Sequence, residues 1–130
     1  MRYLVDTDWI AYYLRGHRRV TDLLISFRRD GIAVSMISLA ELYEGICRSS
    51  DPVGDETDLR NFLTGVFVLS IDDNVCRIFG QERSILRKQG LLIGDFDILI
   101  ASTALYYNLT VLTNNRKHFE RIEGLQIIST

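Results

Sequence analysis

The chain has 130 residues, 47% hydrophobic and 25% charged, with nine glycines, two cysteines and a single proline. That composition suits one folded domain, residues 1–130, with a substantial core, and excludes a repeat or low-complexity protein. The formal net charge is −2, so nucleic-acid binding would need a local basic patch, and no apolar run approaches the ~18 residues of a membrane helix.

Taken in order, the N-terminus meets an acid, Asp6, too early for a signal-peptide core, and a cytoplasmic protein is expected. Tyr3-Leu4-Val5 is a short apolar run that reads as a buried strand. It opens into a helix through about Leu14, with Thr7 or Asp8 as the cap and Gly16 as the stop. Val20, Leu23, Leu24 and Phe27 recur at helical spacing, and Gly31 closes that helix. Ile32-Ala33-Val34 is a second strand. Ser38 then starts a helix running to about Cys47. The polar stretch from Ser49 to Asp58, which holds Pro52, reads as a surface loop before a short helix near Leu59–Leu63. Strands are predicted near 2–6, 32–35, 66–70, 110–113 and 126–128. Val75, Ile78, Phe79, Ile85 and Leu86 mark one face of a long helix ending at Gly90. Cys47 and Cys76 show neither metal spacing nor a disulfide framework and are expected as reduced core residues.

Short apolar strands alternating with helices argue for an α/β protein with a mainly parallel five-stranded sheet and helices on both faces. In such sheets ligands bind beyond the carboxyl ends of the strands. Asp6 follows the first strand, and Asn114 and Asn115 follow the fourth.

The stretch Gly94-Asp95-Phe96-Asp97-Ile98-Leu99-Ile100-Ala101 begins an apolar helix predicted to run to about Leu109. Asp97 shares a helical face with Ile100, Ala101 and Ala104, the face that packs on a core. A carboxylate there costs ~2–7 kcal/mol unless compensated. A helix N-terminus compensates part of this, and a cation more. Asp6, Glu41 and Asp97 each have a local alternative. Asp6 can be a strand-end turn residue, Asp97 a cap, and Glu41 the last member of a Ser38-x-x-Glu41 capping box. Together they make a hard oxygen-donor set suited to Mg²⁺ or Mn²⁺, the ions that support phosphodiester cleavage. No His/Cys cluster points to zinc, and no glycine-rich phosphate loop points to a nucleotide cofactor.

Four segments in this order resemble the PIN-domain family, and specifically the toxin component of VapBC-type toxin–antitoxin systems. They are Leu4-Val5-Asp6-Thr7, Ile37-Ser38-Leu39-Ala40-Glu41-Leu42, Ile93 to Ala101, and Leu112-Thr113-Asn114-Asn115 followed by His118-Phe119. The resemblance covers nearly the whole chain. It implies an α/β/α sandwich and a Mg²⁺- or Mn²⁺-dependent endoribonuclease that blocks growth until an antitoxin restrains it. It further implies a homodimer. Carried over by position, Asp6 and Asp97 would hold the metal directly. Glu41 would act through water or activate the nucleophile, and Asp95 would be an auxiliary acid. The hydroxyls of Thr7 and Thr113 would brace the ligands. The chain departs from the family pattern after the fourth strand, where Asn114-Asn115-Arg116-Lys117-His118 carries no acid before Glu120. Asn115 can hydrogen-bond a metal water but adds no charge, which leaves one or two metal ions open.

Arg15, His17, Arg18 and Arg19 cluster after the first helix, while Arg28 and Arg29 read as a solvated face. Arg116 and Lys117 flank the acidic edge and are candidate RNA-phosphate contacts. Trp9, Tyr12 and Tyr13 read as core or partner-contact residues, and an apolar groove nearby would suit an antitoxin helix. Two alternatives stand beside the ribonuclease. One is an inactive RNA- or protein-binding module with the same fold. The other is an aspartyl-phosphate phosphatase built on Asp6-Thr7-Asp8.

Overall fold

A computed structural model describes residues 1–130. The elements in order are β1 (Tyr3–Val5), α1 (Thr7–Leu14), α2 (Arg18–Arg28), β2 (Ile32–Ser35), α3 (Met36–Cys47), α4 (Pro52–Leu63), β3 (Phe67–Leu69), α5 (Asp73–Gln89), α6 (Asp95–Tyr107), β4 (Thr110–Leu112), α7 (Arg116–Phe119) and β5 (Ile127–Ile128). The five strands form one sheet in the order β3-β2-β1-β4-β5, and every pairing is parallel.

The central strands β1 and β2 are buried on both faces, so they read as nearly unbroken apolar runs. Their residues alternate between two cores with the period of two that a pleated strand dictates, while the edge strand β3 leaves Phe67 and Val68 exposed. Tyr3 and Val5 of β1, Ile32 and Val34 of β2 and Leu112 of β4 point to one side, among Trp9, Val20, Leu24, Leu42 and Phe62 of the first four helices. Leu4, Ala33 and Val111 point to the other, among Leu86, Ile98, Ile100, Ala101 and Phe119. The result is the expected three-layer α/β/α sandwich. Strand β1 lies at its centre, paired with β2 on one side and with β4 on the other (Tyr3 opposite both Ile32 and Thr110). The chain moves outward to β3 in one direction and to β5 in the other. The gap between β1 and β4 is therefore the topological switch point, where such sheets leave a crevice beyond their carboxyl ends.

Local chemistry sets the helix ends. Gly90 closes α5 in the left-handed region at φ 69°, a conformation glycine adopts without Cβ strain. Gly31 sits at φ 86° in the turn into β2, and a Cβ there would meet the Met1 backbone at 2.8 Å. Several expectations are corrected. Ser49–Asp58 is not a loop: α4 begins at Pro52, and the Asp51 side chain caps it by accepting from Gly54 N at 3.1 Å. Proline is favoured in the first helical turn because its missing N–H would have no partner there anyway. Helix α3 starts at Met36, two residues before Ser38, with Ser35 as its cap accepting from Ile37 N. Cys47 and Cys76 are unpaired and exposed, not core residues. Arg28 is not simply solvated. Its guanidinium donates to the carbonyls of Phe62 (2.8 Å) and Thr64 (3.2 Å) and so satisfies the C-terminus of α4. No helix is long and apolar enough to cross a membrane.

Candidate active site

The crevice between β1 and β4 collects side chains from α1, α3, α6 and the loop after β4. Asp6 ends β1 and is the N-cap of α1, the place that Thr7 or Asp8 was expected to take. Its Oδ1 accepts from Thr7 N at 2.8 Å, and its Oδ2 accepts from the Thr113 hydroxyl at 2.7 Å. The backbone N–H of Asn115 donates to Thr113 Oγ1 at 3.0 Å, which turns the hydroxyl proton toward Asp6. Asp6 is only 5% exposed. Burial pushes its carboxyl from an ordinary 3.8 up to about 7. Repulsion from Asp8, and more weakly from Asp97, adds to this, and the Thr113 and Thr7 hydrogen bonds hold it back.

Asp8 is an acid that the sequence patterns did not select for the cluster. Its Oδ1 accepts from Trp9 N at 2.7 Å and its Oδ2 from Asn114 N at 3.0 Å. Burial raises its carboxyl pKa too, against the lowering effect of those two N–H groups. It fastens the start of α1 to the loop after β4. Trp9, fully buried, adds a second tie by donating its indole N–H to Asn114 Oδ1 at 3.0 Å.

Glu41 does not complete a capping box. It lies in the second turn of α3, and its Oε1 accepts from the Thr7 hydroxyl at 2.7 Å. Ser38, the other half of that pattern, is buried with its hydroxyl unpartnered. Asp97 is no cap either: Gly94 takes the N-cap of α6, and Asp97 sits in the first turn beside the buried Ile98, Ile100 and Ala101. Asp97 Oδ2 is 2.9 Å from His118 Nδ1 and 3.3 Å from Asn115 Nδ2. His118, which the sequence offered only as part of a family-like segment and not as a site residue, is the second addition to the cluster. An unbroken run of hydrogen bonds therefore passes from Glu41 through Thr7, Asp6, Thr113 and Asn115 to Asp97.

Other candidates lie apart from this run. Asp95 is exposed and pairs with Arg83 of α5 at 2.8 Å. Arg116 pairs with Glu120 at 3.1 Å and also donates to Ser129 Oγ, so part of its charge is already met. Lys117 is exposed and has no ion-pair partner.

The donors fit a hard divalent cation in kind. They are carboxylate oxygens from separate elements, and Asp6, Asp8 and Asp97 repel one another in a way that a positive charge would relieve. No three His, Cys, Asp or Glu side chains are grouped closely enough to enclose an ion by themselves. An ion held by Asp6 and Asp97 would complete its shell with water, as Mg²⁺ commonly does.

An α/β/α domain with a central parallel sheet and a buried acid at its switch point belongs to the doubly wound class of α/β proteins, whose ligand crevice lies at that edge. The chain belongs to the PIN-domain family, whose model matches residues 3–125. It is 34% identical over 127 residues to Ribonuclease VapC2 of Rickettsia felis, a match covering 96% of this chain and 95% of that protein. It is 33% identical over 128 residues to Ribonuclease VapC2 of Haemophilus influenzae, covering 97% and 96%. Among solved structures, a chain of VapBC2 from Rickettsia felis bound to a DNA fragment from its promoter superposes with a TM-score of 0.93 at 32% identity, covering 100% of this chain and 99% of that one.

Proposed function

We propose that this protein is a Mg²⁺- or Mn²⁺-dependent endoribonuclease, the toxin of a toxin–antitoxin pair, which inhibits translation and growth by cutting RNA. The observation that carries this reading is Asp6. It is a buried carboxylate pushed up to about 7, set at the switch point and linked by hydrogen bonds to Glu41 and Asp97. Such an arrangement is costly for a metal-free protein and sensible for one that binds a cation. The ribonuclease names of its relatives supply the substrate class. The VapBC complex supplies the partner, an antitoxin protein.

In this reading Asp6 and Asp97 hold the cation, and the hydroxyls of Thr7 and Thr113 fix the Glu41 and Asp6 oxygens. A divalent cation held there would supply a bound water of lowered pKa and would neutralise charge on the scissile phosphate. Glu41 orients the attacking water and takes its proton. Lys117, and Arg116 with what charge Glu120 leaves it, draw the RNA backbone toward the edge. A cleft of about 540 Å³ opens from Thr7 and Glu41, and its lining sets Arg15 and Arg48 against Asp55 and Asp58, so it carries mixed charge and adds no positive field for RNA. Ala11, Leu14, Leu42 and Ile46 give the same cleft an apolar side, which suits an amphipathic antitoxin segment. A homodimer would cover part of the exposed apolar surface of the α5–α6 region, where Ile85, Leu91, Leu92 and Phe96 face solvent. The phosphatase alternative is set aside, since the chain belongs to the PIN family and Asp8 spends its oxygens on backbone N–H groups.

The test is RNA cleavage by the purified chain with Mg²⁺ or Mn²⁺, with EDTA, and with Asp97→Asn. The expected result is cleavage that EDTA stops, a folded and inactive Asp97→Asn, and growth arrest on expression of the parent alone. Cleavage at the parent rate by Asp97→Asn, with EDTA without effect on either protein, would remove the metal mechanism and favour a binding role.

A further inference from the structure

His118 is the side chain at this edge that the search for carboxylates passes over. Its Nδ1 lies 2.9 Å from Asp97 Oδ2 and 3.0 Å from Asn115 Nδ2, and Asn115 Nδ2 lies 3.3 Å from the same carboxylate oxygen. Three polar atoms thus close a triangle, and two nitrogens converge on one oxygen. A carboxylate oxygen accepts, so His118 bonds Asp97 in the tautomer that carries the ring proton on Nδ1. Its 3.0 Å approach to Asn115 Nδ2 is then a contact between two donors that share one acceptor, not a hydrogen bond. Both nitrogens serve Oδ2, and neither serves Oδ1. The Asp97 backbone is already rigid, because the next turn of α6 is fully buried through Ile98, Ile100 and Ala101. What the helix leaves free is the rotation of the Asp97 side chain. Asn115 and His118, from outside that helix, remove it.

We propose that His118 is a positioning residue that occupies Oδ2 of Asp97 and presents Oδ1 alone as a one-oxygen donor to the divalent cation. The inference rests on the metal reading of the site given above. Its consequence is selectivity. A carboxylate with one free oxygen matches the small octahedral shell of Mg²⁺ or Mn²⁺. Ca²⁺ takes more ligands, often with carboxylates bound through both oxygens, and gains less from such a donor. The role is one of support: partners that orient ligating groups typically contribute 10–100-fold to metal affinity.

The experiment titrates the purified full chain with Mn²⁺ and with Ca²⁺ by calorimetry, and follows thermal unfolding of each protein in EDTA. The variants are His118→Ala, His118→Asn and His118→Gln. The amide nitrogen of Asn falls near the place of Nδ1, while that of Gln falls near Nε2, one bond too far out. His118→Ala is expected to bind Mn²⁺ about 10–100-fold more weakly and to lose part of the preference for Mn²⁺ over Ca²⁺. His118→Asn should recover to within about threefold of the parent, and His118→Gln should not. Should the Ala variant fail to fold, the Asn and Gln pair carries the comparison. Mn²⁺ binding within about twofold of the parent in a folded Ala or Gln variant overturns the proposal while leaving the metal site itself intact. An Asn variant as weak as the Ala one also overturns it, because the ring would then act as something other than a hydrogen-bond donor to Asp97. A parent that binds no Mn²⁺ at all removes the metal reading and this inference together.

Discussion

The Thr113 hydroxyl donates to Asp6 Oδ2 across 2.7 Å, joining residues 107 positions apart in the chain. Both are buried, one at the end of β1 and the other just past β4. The bond spans the switch point and sets the orientation of the acid that the site is built around. Thr113→Val keeps the shape and removes both the proton given to Asp6 and the oxygen that receives Asn115 N. Leaving a buried acceptor and a part-buried N–H without partners should cost about 1–3 kcal/mol of unfolding free energy. It should also lower RNA cleavage severely, while Thr113→Ser retains most of both. Urea unfolding and a cleavage assay check this. A Val variant as stable and as active as the parent would show that the bond does not matter.

Asp6 should make the metal-free protein lose stability as pH rises. Its carboxyl titrates near 3.8 ordinarily and about 7 in the folded protein. Between those values the folded state holds a proton that the unfolded state has released, so unfolding becomes easier as pH climbs from about 4 to 7. The full effect is on the order of 4 kcal/mol, at 1.36 kcal/mol per pH unit of difference. Asp6→Asn should remove this slope and be the more stable protein at pH 7, while losing cleavage. Denaturant midpoints in EDTA, compared between parent and variant across that pH range, give the difference directly. Parallel curves would mean that Asp6 is not the strained acid described here.

Arg116 and Lys117 are neighbours with different expected effects on RNA. Arg116 pairs with Glu120 and donates to Ser129, whereas Lys117 has no ion pair. Lys117→Ala should weaken RNA binding uniformly across sequences and reduce the salt slope by about one. Arg116→Ala should change the slope less, and cost only a few tenths of a kcal/mol of stability, about what an exposed i,i+4 pair contributes. Binding of a non-cleaved RNA to Asp97→Asn, measured over a range of salt concentrations, separates the two. Equal slopes for both variants would contradict the difference drawn from the geometry.

The parallel sheet and the position of the crevice could be read before any coordinates, because each depends on local patterns. Strand runs of three or four apolar residues, helices with glycine stops, and an acid directly after the first strand are near-neighbour signals. The packing face of α6 was legible for the same reason: Ile100, Ala101 and Ala104, three, four and seven residues beyond Asp97, are all fully buried. Local signals misled where two environments share one pattern. Ser38-x-x-Glu41 matches a capping box, yet the helix had already begun at Met36 under a different serine. Pro52 in a polar stretch signals a loop or a helix start equally well, and Asp51 decides for the helix. Cys76 follows the buried Val75 on α5 and turns outward, since adjacent helical residues do not share a face.

The roles of individual acids were decided only by tertiary structure. Asp8 reaches Asn114 N across 106 positions, and His118 reaches Asp97 across 21. Neither contact leaves a trace in local spacing, because each exists only once β4 has paired with β1 and brought its following loop beside α1 and α6. The same closure removes water from Asp6 and sets Asp8 and Asp97 near it, which is what drives its carboxyl up to about 7. Residue type alone placed carboxylates in the chain. Burial among like charges, a property of the folded arrangement, is what makes one of them the strained centre of the site.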